Sequence, residues 1–220
     1  MQENKKITIL FDLDGTLIDS TDAIVGCFYH SFEELSFDFK GNVEDIKNEI
    51  GYPLDVMYET LGVSKEKISD FVASYKKEYA KVSKVKTTLL KDAYEAVELA
   101  FSFARVGVVT TKSTAYTIPL LKHFEVFDFF ETIIGRQEVI NPKPHPEPIL
   151  KAMENMNLTL KDTIYMIGDT KLDLIAAKDA GVKSVGVLCG YGKKEDLEKY
   201  TQNICADALS SVKFIKNNEI

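Results

Sequence analysis

The chain lacks most of what would make it a nucleic-acid binder, a metal–thiolate protein or a membrane protein. Basic residues are outnumbered: 27 lysines and arginines stand against 34 acids in 220 residues, a net charge of −7. That sign argues against nucleic acid or an anionic membrane surface as a principal partner. Only two arginines occur, Arg105 and Arg136. The three cysteines, Cys27, Cys189 and Cys205, are far apart and form no C-x-x-C pair. They read as reduced core residues in a reducing compartment, not as a zinc site or disulfide framework. No run approaches the ~20 apolar residues of a membrane span. The polar start, Met-Gln-Glu-Asn-Lys-Lys, is followed by too few apolar residues for a signal peptide. Internal repeats and low-complexity segments are also missing. What remains is the expectation of a soluble, cytoplasmic globular protein, with 45% hydrophobic residues to build its core.

What is present centres on Lys6-Ile-Thr-Ile-Leu-Phe-Asp-Leu-Asp-Gly-Thr16. The β-branched and aromatic run reads as a short buried strand, and it ends in Asp12 and Asp14, then Gly15. Unpaired ionised groups are very costly in an interior, so two carboxylates at a strand's end suggest a cation that compensates them.

Beyond that strand the pattern is helical up to the upper 80s. Ile24, Cys27, Phe28, Phe32 and Leu35 keep helical spacing, with Ser20 or Thr21 as N-cap. Weaker helical segments at 43–50 and 54–61 flank Gly51-Tyr52-Pro53, a bend and a candidate specificity loop. From Ser64 a long helix carries Ile68, Phe71, Val72, Tyr75, Tyr79 and Val82 on one face. Its lysines, Lys65, Lys67, Lys76, Lys77 and Lys81, read as a solvated face. No strand signal interrupts this block.

Past Lys86, strands and helices alternate. The strand residues 106–111 follow a helix at 90–103, and a helix at 113–123 contains Pro119, which predicts a kink or a late start. A strand at Thr132–Ile134 precedes the stiff loop Asn141-Pro-Lys143-Pro-His145-Pro. A strand at 163–167 then leads into Gly168-Asp169-Thr-Lys-Leu-Asp173, and an alanine-rich helix stops at Gly181. A strand at 184–188 and a short helical tail follow. Alternation of this kind implies an α/β fold: a Rossmann-like parallel sheet with helices on both faces. Its sites form outside the carboxyl ends of the strands, where Asp12, Asp14, Thr110 and Asp169 all fall.

Asp12, Asp14, Asp169 and Asp173 would repel one another without a cation, and oxygen-only ligands suit Mg²⁺. Lys143, held between prolines, is a point charge suited to a phosphoryl group, and Thr110 adds a hydroxyl donor. These parts together suit phosphoryl transfer through an aspartyl-phosphate. One carboxylate, Asp12, attacks phosphorus; the other, Asp14, protonates the leaving alkoxide and then activates water.

The motifs Asp12-Leu-Asp14-Gly-Thr16, Thr110, Lys143-Pro and Gly168-Asp169-x-x-x-Asp173 resemble, in order, those of the haloacid dehalogenase-like hydrolases. Within that family the chain is most similar to the phosphoglycolate phosphatases and β-phosphoglucomutases. The resemblance implies a catalytic core of residues 1–17 and 87–220 with an α-helical cap inserted at 18–86. It implies Asp12 as nucleophile and metal ligand, and Asp14 as acid/base, with its backbone carbonyl on Mg²⁺. Asp169 is implied as a further ligand, and Asp173 as a ligand or its support. Thr110, Thr111 and Lys143 would hold the phosphate, Thr111 through its backbone N–H because many members have asparagine there.

Singly, other polar residues read more plainly. Asp19 and Asp22 belong to a hinge or a helix N-terminus and His145 to a turn; Lys112 and Arg136 are within reach of a substrate, but surface roles are favoured for both. The expected activity is a Mg²⁺-dependent phosphatase acting on a small phosphate ester, with resemblance favouring 2-phosphoglycolate. Its rivals are a phosphosugar mutase, for which the arginine-free cap is poorly equipped, and a receiver-type phosphoacceptor module, which would have no cap. A dehalogenase needs neither a general acid nor Mg²⁺, and a phosphonatase needs a Schiff-base lysine in the cap. Oligomeric state is not legible.

Overall fold

The computed structural model describes residues 6–220. Strand β1 (Ile7–Phe11) is buried along its whole length, as expected for a strand covered on both faces. A two-residue strand β2 (Ile18–Asp19) leads into four helices: α1 (Thr21–Glu34), α2 (Val43–Lys47), α3 (Leu54–Thr60) and α4 (Ile68–Val82). Strand β3 (Thr88–Leu89) then pairs antiparallel with β2, joining Ile18 to Leu89 and Asp19 to Thr88. This ribbon flanks the helical block at both ends, and no strand interrupts the helices between. Two-residue strands carry no readable period.

The remaining chain alternates: α5 (Ala93–Phe103), β4 (Arg105–Val109), α6 (Thr114–His123), β5 (Thr132–Ile134), α7 (Glu147–Asn155), β6 (Thr163–Gly168), α8 (Lys171–Ala180) and β7 (Lys183–Val187). It closes with α9 (Lys194–Leu197), β8 (Ile204–Cys205) and α10 (Ala208–Glu219). The expected short tail is thus a twelve-residue helix, started by a capping box between Asp207 and Ser210. The six-stranded sheet has the order β5-β4-β1-β6-β7-β8, with every pairing parallel. This is the α/β, Rossmann-like architecture.

Strand alternation sends side chains to two cores. Ile7, Ile9 and Phe11 face α5, α10 and Leu120 and Leu121 of α6. Leu10, Ile164 and Met166 face α7 and α8. The four helices between β2 and β3 build a third core of their own. Phe71, Tyr75 and Tyr79 repeat every fourth residue along α4, so they share one face and pack on α1. Phe28 lies 4.5 Å from Tyr58 and 5.2 Å from Tyr75 between ring centroids. The lysines of α4 stay exposed on the opposite face.

Two local expectations change. The long helix expected from Ser64 begins at Ile68, because Lys65–Lys67 wind as a 3₁₀ turn. Helix α6 starts on time at Thr114, where the Ser113 hydroxyl accepts the Ala115 N–H. Pro119 removes the donor for the Ala115 carbonyl, but Ala115 is exposed and water can serve there.

Sheet register positions the site. Phe11 stands opposite Val108 on one side and Ile167 on the other. One step further, Asp12 therefore emerges opposite Val109 and Gly168, one residue before Thr110 and Asp169.

Candidate active site

Asp12 donates its backbone N–H to the Ile167 carbonyl at 2.9 Å, which ties the end of β1 to β6. Its carboxylate is buried with those of Asp169 and Asp173, and one oxygen from each lies within 4.8 Å of the others. Lys143 reaches this cluster from the proline-rich loop. Its ammonium lies 2.8 Å from Asp12 Oδ1 and 2.5 Å from Asp173 Oδ1, and donates to the Val109 carbonyl at 2.9 Å. Burial works against that ammonium, yet Asp12 and Asp173 outweigh it and hold its pKa above the usual lysine range.

Asp173 is fully committed by its place in α8. One oxygen meets Lys143, and the other accepts the Thr170 N–H at 3.0 Å and the Thr170 hydroxyl at 2.7 Å, closing a capping box. Asp169 accepts the Thr16 hydroxyl at 3.1 Å and the Tyr191 N–H at 2.8 Å. Two glycines leave it room. A Cβ on Gly15 would stand 2.4 Å from Asp169 Oδ2, and one on Gly190 would stand 2.2 Å away. Gly15 also has φ +81°, a conformation that side chains disfavour.

Among themselves the formal charges do not balance. Three buried carboxylates against one ammonium leave two negative charges. Burial, reinforced by Asp173 and opposed by Lys143, pushes the Asp12 carboxyl up to about 7. Burial and the neighbouring Asp12 push Asp169 well up as well. Asp12 Oδ1 has only the Lys143 ammonium against it, at 2.8 Å. A buried oxygen left so, among oxygen-only ligands, fits a hard divalent cation.

Asp14 is not part of this group. Its carboxylate accepts the Ser20 hydroxyl at the start of α1 and lies 3.2 Å from the Lys112 ammonium. Lys112 also donates to the Tyr79 hydroxyl at 2.8 Å, with the ammonium 4.5 Å from the centre of that ring. The expectation of a surface role for Lys112 is therefore wrong: its side chain is only 8% exposed. A lone lysine after a strand gives no sequence signal of its pairing, because Asp14 lies 98 positions away. Ser20, Tyr79 and Tyr191 were equally invisible, since helix-start and core roles explain the first two.

The remaining expected residues fall around this centre. Thr110 is buried, its backbone N–H bonds to the Ile134 carbonyl, and its hydroxyl accepts the Lys112 N–H at 3.1 Å. Thr111 turns its hydroxyl to the Gly51 carbonyl at 2.9 Å, joining the β4 loop to the helical unit. Asp19 accepts the Thr21 N–H, Asp22 sits in the first turn of α1, and His145 accepts the Glu147 N–H within its turn. The cysteines are free; Cys27 is buried and the other two half-buried.

Comparison with known proteins agrees with this geometry. The family model for haloacid dehalogenase-like hydrolases matches residues 9–187. Over 185 residues the chain is 35% identical to a pyrophosphatase PpaX from Halalkalibacterium halodurans, covering 84% of this chain and 83% of that one. It is 28% identical to a phosphoglycolate phosphatase from Colwellia psychrerythraea, covering 96% and 97%. Among solved structures, a haloacid dehalogenase-like family hydrolase from Streptococcus pneumoniae superposes with a TM-score of 0.85 at 29% identity, covering 96% of this chain and 99% of that one. No helix among the described residues is long and apolar enough to cross a membrane. With the motifs, the fold and the relatives in agreement, this chain belongs to the haloacid dehalogenase-like hydrolase family and is one of its phosphatases.

Proposed function

We propose that this phosphatase depends on Mg²⁺ and hydrolyses a small phosphomonoester through a phosphoryl group carried on Asp12. The observation that supports this most is the separation of the two aspartates. Asp12 lies in the buried acidic cluster with Lys143, whereas Asp14, two residues on, opens toward a cavity beside the helical unit.

Asp12, Asp169 and the Asp14 backbone carbonyl would hold the cation, with Asp173 as ligand or as the anchor of Lys143. When bound, Mg²⁺ neutralises a phosphate oxygen and eases approach of one anion to another. In the first half-reaction a carboxylate oxygen of Asp12 attacks phosphorus and the ester P–O bond breaks. Asp14 gives its proton to the departing alkoxide. In the second, Asp14 takes a proton from water, the water oxygen attacks the same phosphorus, and Asp12 leaves. Lys143 steadies the charge on Asp12 and the phosphoryl oxygens, and the Thr110 hydroxyl and the Thr111 N–H are available as donors.

In this reading residues 18–86 act as a cap that excludes bulk water, and the β2–β3 ribbon is its hinge. The partner is a small phosphate ester in the cytoplasm, not nucleic acid or membrane, in keeping with the net charge of −7. The test is release of inorganic phosphate by the purified protein from a phosphomonoester panel, with Mg²⁺ and with chelator. Turnover that persists undiminished in chelator would refute the metal dependence.

A further inference from the structure

We infer that the ester hydrolysed here carries a planar ring on its alcohol, an inference that rests on the phosphatase reading above. The cavity bounded by α3, α4 and the loops after β4 and β5 has a volume of about 360 Å³. That is room for about twelve waters at ~30 Å³ each, far more than a glycolate or a second phosphate needs. Asp14 lines the cavity, whereas Asp12, Thr110 and Lys143 do not. The cavity therefore lies on the side of the acid that protonates the leaving oxygen, and it houses the alcohol.

Its walls are chiefly apolar. Ile24, Ile50, Leu54, Met57 and Val72 contribute aliphatic surface from the helical unit. Tyrosines add flat surface: Tyr52 beside the Gly51 bend, Tyr116 on α6, and Tyr75 and Tyr79, stacked with an interplanar angle of 10°. Flat aromatic walls favour flat aromatic guests.

Three cations line the cavity as well, Lys76, Lys112 and Arg136. Lys112 is paired with Asp14 and bonded to the Tyr79 hydroxyl. Arg136 donates through Nη1 to the Val139 carbonyl at 3.1 Å. Lys76 is exposed, and Asp55 lines the same cavity. A small leaving group such as phosphate or glycolate would leave most of this apolar wall in contact with water, forgoing its burial. Pyrophosphate, whose leaving group is a second phosphate, and 2-phosphoglycolate, whose leaving group carries a carboxylate, are the poorer fits. A ring-bearing monoester balances simply: Asp12 accepts the phosphoryl group, Asp14 protonates the ring-bearing alcohol, and water then returns Asp12 and yields inorganic phosphate.

The experiment compares kcat/KM for pyridoxal 5′-phosphate and the nucleoside 5′-monophosphates with that for 2-phosphoglycolate and pyrophosphate, all with Mg²⁺. The expected result is a preference of about tenfold or more for a ring-bearing ester. Leu54→Arg, which adds a cation at a half-buried wall position, and Tyr52→Ala, which removes flat surface, should each lower the ratio of ring-bearing ester to 2-phosphoglycolate by about tenfold. A preference for either small anion, or ratios that neither variant moves, overturns the inference and leaves the phosphatase reading standing. No phosphate release from any ester overturns that reading itself, and the inference with it.

Discussion

The Lys112 ammonium lies 3.2 Å from Asp14 Oδ1, with the two side chains only 8% and 11% exposed. The pair joins the loop after β4 to the loop after β1, and Tyr79 of α4 completes it by accepting a hydrogen bond from the same ammonium. The group assigned to proton transfer is thus held from the sheet and from the helical unit together. Lys112→Met should remove the countercharge from Asp14 and lower kcat by about tenfold to a hundredfold, with a smaller change in KM. Tyr79→Phe, which keeps the ring and the charge pair, should cost less than Lys112→Met. Steady-state kinetics checks both; an unaltered kcat in Lys112→Met would show that the pair has no part in turnover.

Asp169 depends on the absence of side chains around it. The Cβ added by Gly190→Ala would stand 2.2 Å from Asp169 Oδ2 and 2.4 Å from the Gly15 carbonyl oxygen, so the carboxylate and the loop beside it must move. The Mg²⁺ concentration for half-maximal activity should rise by about tenfold to a hundredfold. A magnesium titration of activity reads this directly, and an unshifted midpoint would remove Asp169 from the metal site.

Acidic crowding has a consequence for stability. Burial pushes the Asp12 carboxyl up to about 7, whereas an unfolded aspartate titrates near ~3.9. Between those values the native protein keeps a proton that the unfolded chain has released. Metal-free stability should therefore fall as pH rises from about 5 to about 7, by on the order of 1 kcal/mol per pH unit. Mg²⁺ should raise Tm, and more at about pH 8 than at about pH 5, because protons compete for the same oxygens. Thermal unfolding in chelator and in Mg²⁺ measures both slopes. A metal-free Tm that climbs with pH through this window would contradict the placement of three buried carboxylates around one lysine.

The helical unit has its own core, and Phe28 lies at its centre, fully buried between Tyr58 and Tyr75. Phe28→Ala should cost about 3–5 kcal/mol, seen as a lower urea midpoint. A loss below about 1 kcal/mol would mean that this core relaxes around the cavity.

The sequence made the sheet readable because β1 and β6 are runs rich in β-branched and aromatic residues that end abruptly before acids. It made Asp12, Asp169, Asp173 and Lys143 readable because the first two each follow a strand, Asp173 comes one turn after Asp169, and Lys143 sits in a stiffened loop; the structure brings those four together. What it concealed was long-range or very short. Lys112 looks like a surface lysine until the fold brings Asp14 to it. Two-residue β2 and β3 have no period, and Pro119 hid an ordinary helix start that Ser113 caps. Pairing across space, unlike periodicity along the chain, leaves no local trace.

The central claim is that Asp12 carries the phosphoryl group. Asp14→Asn protein, mixed with a turned-over phosphomonoester and Mg²⁺ and quenched in acid, should yield a phosphorylated peptide containing Asp12. The same treatment of Asp12→Asn should yield none, and that variant should release no phosphate. Phosphate release by Asp12→Asn, or a label that maps to any other residue, would contradict the account.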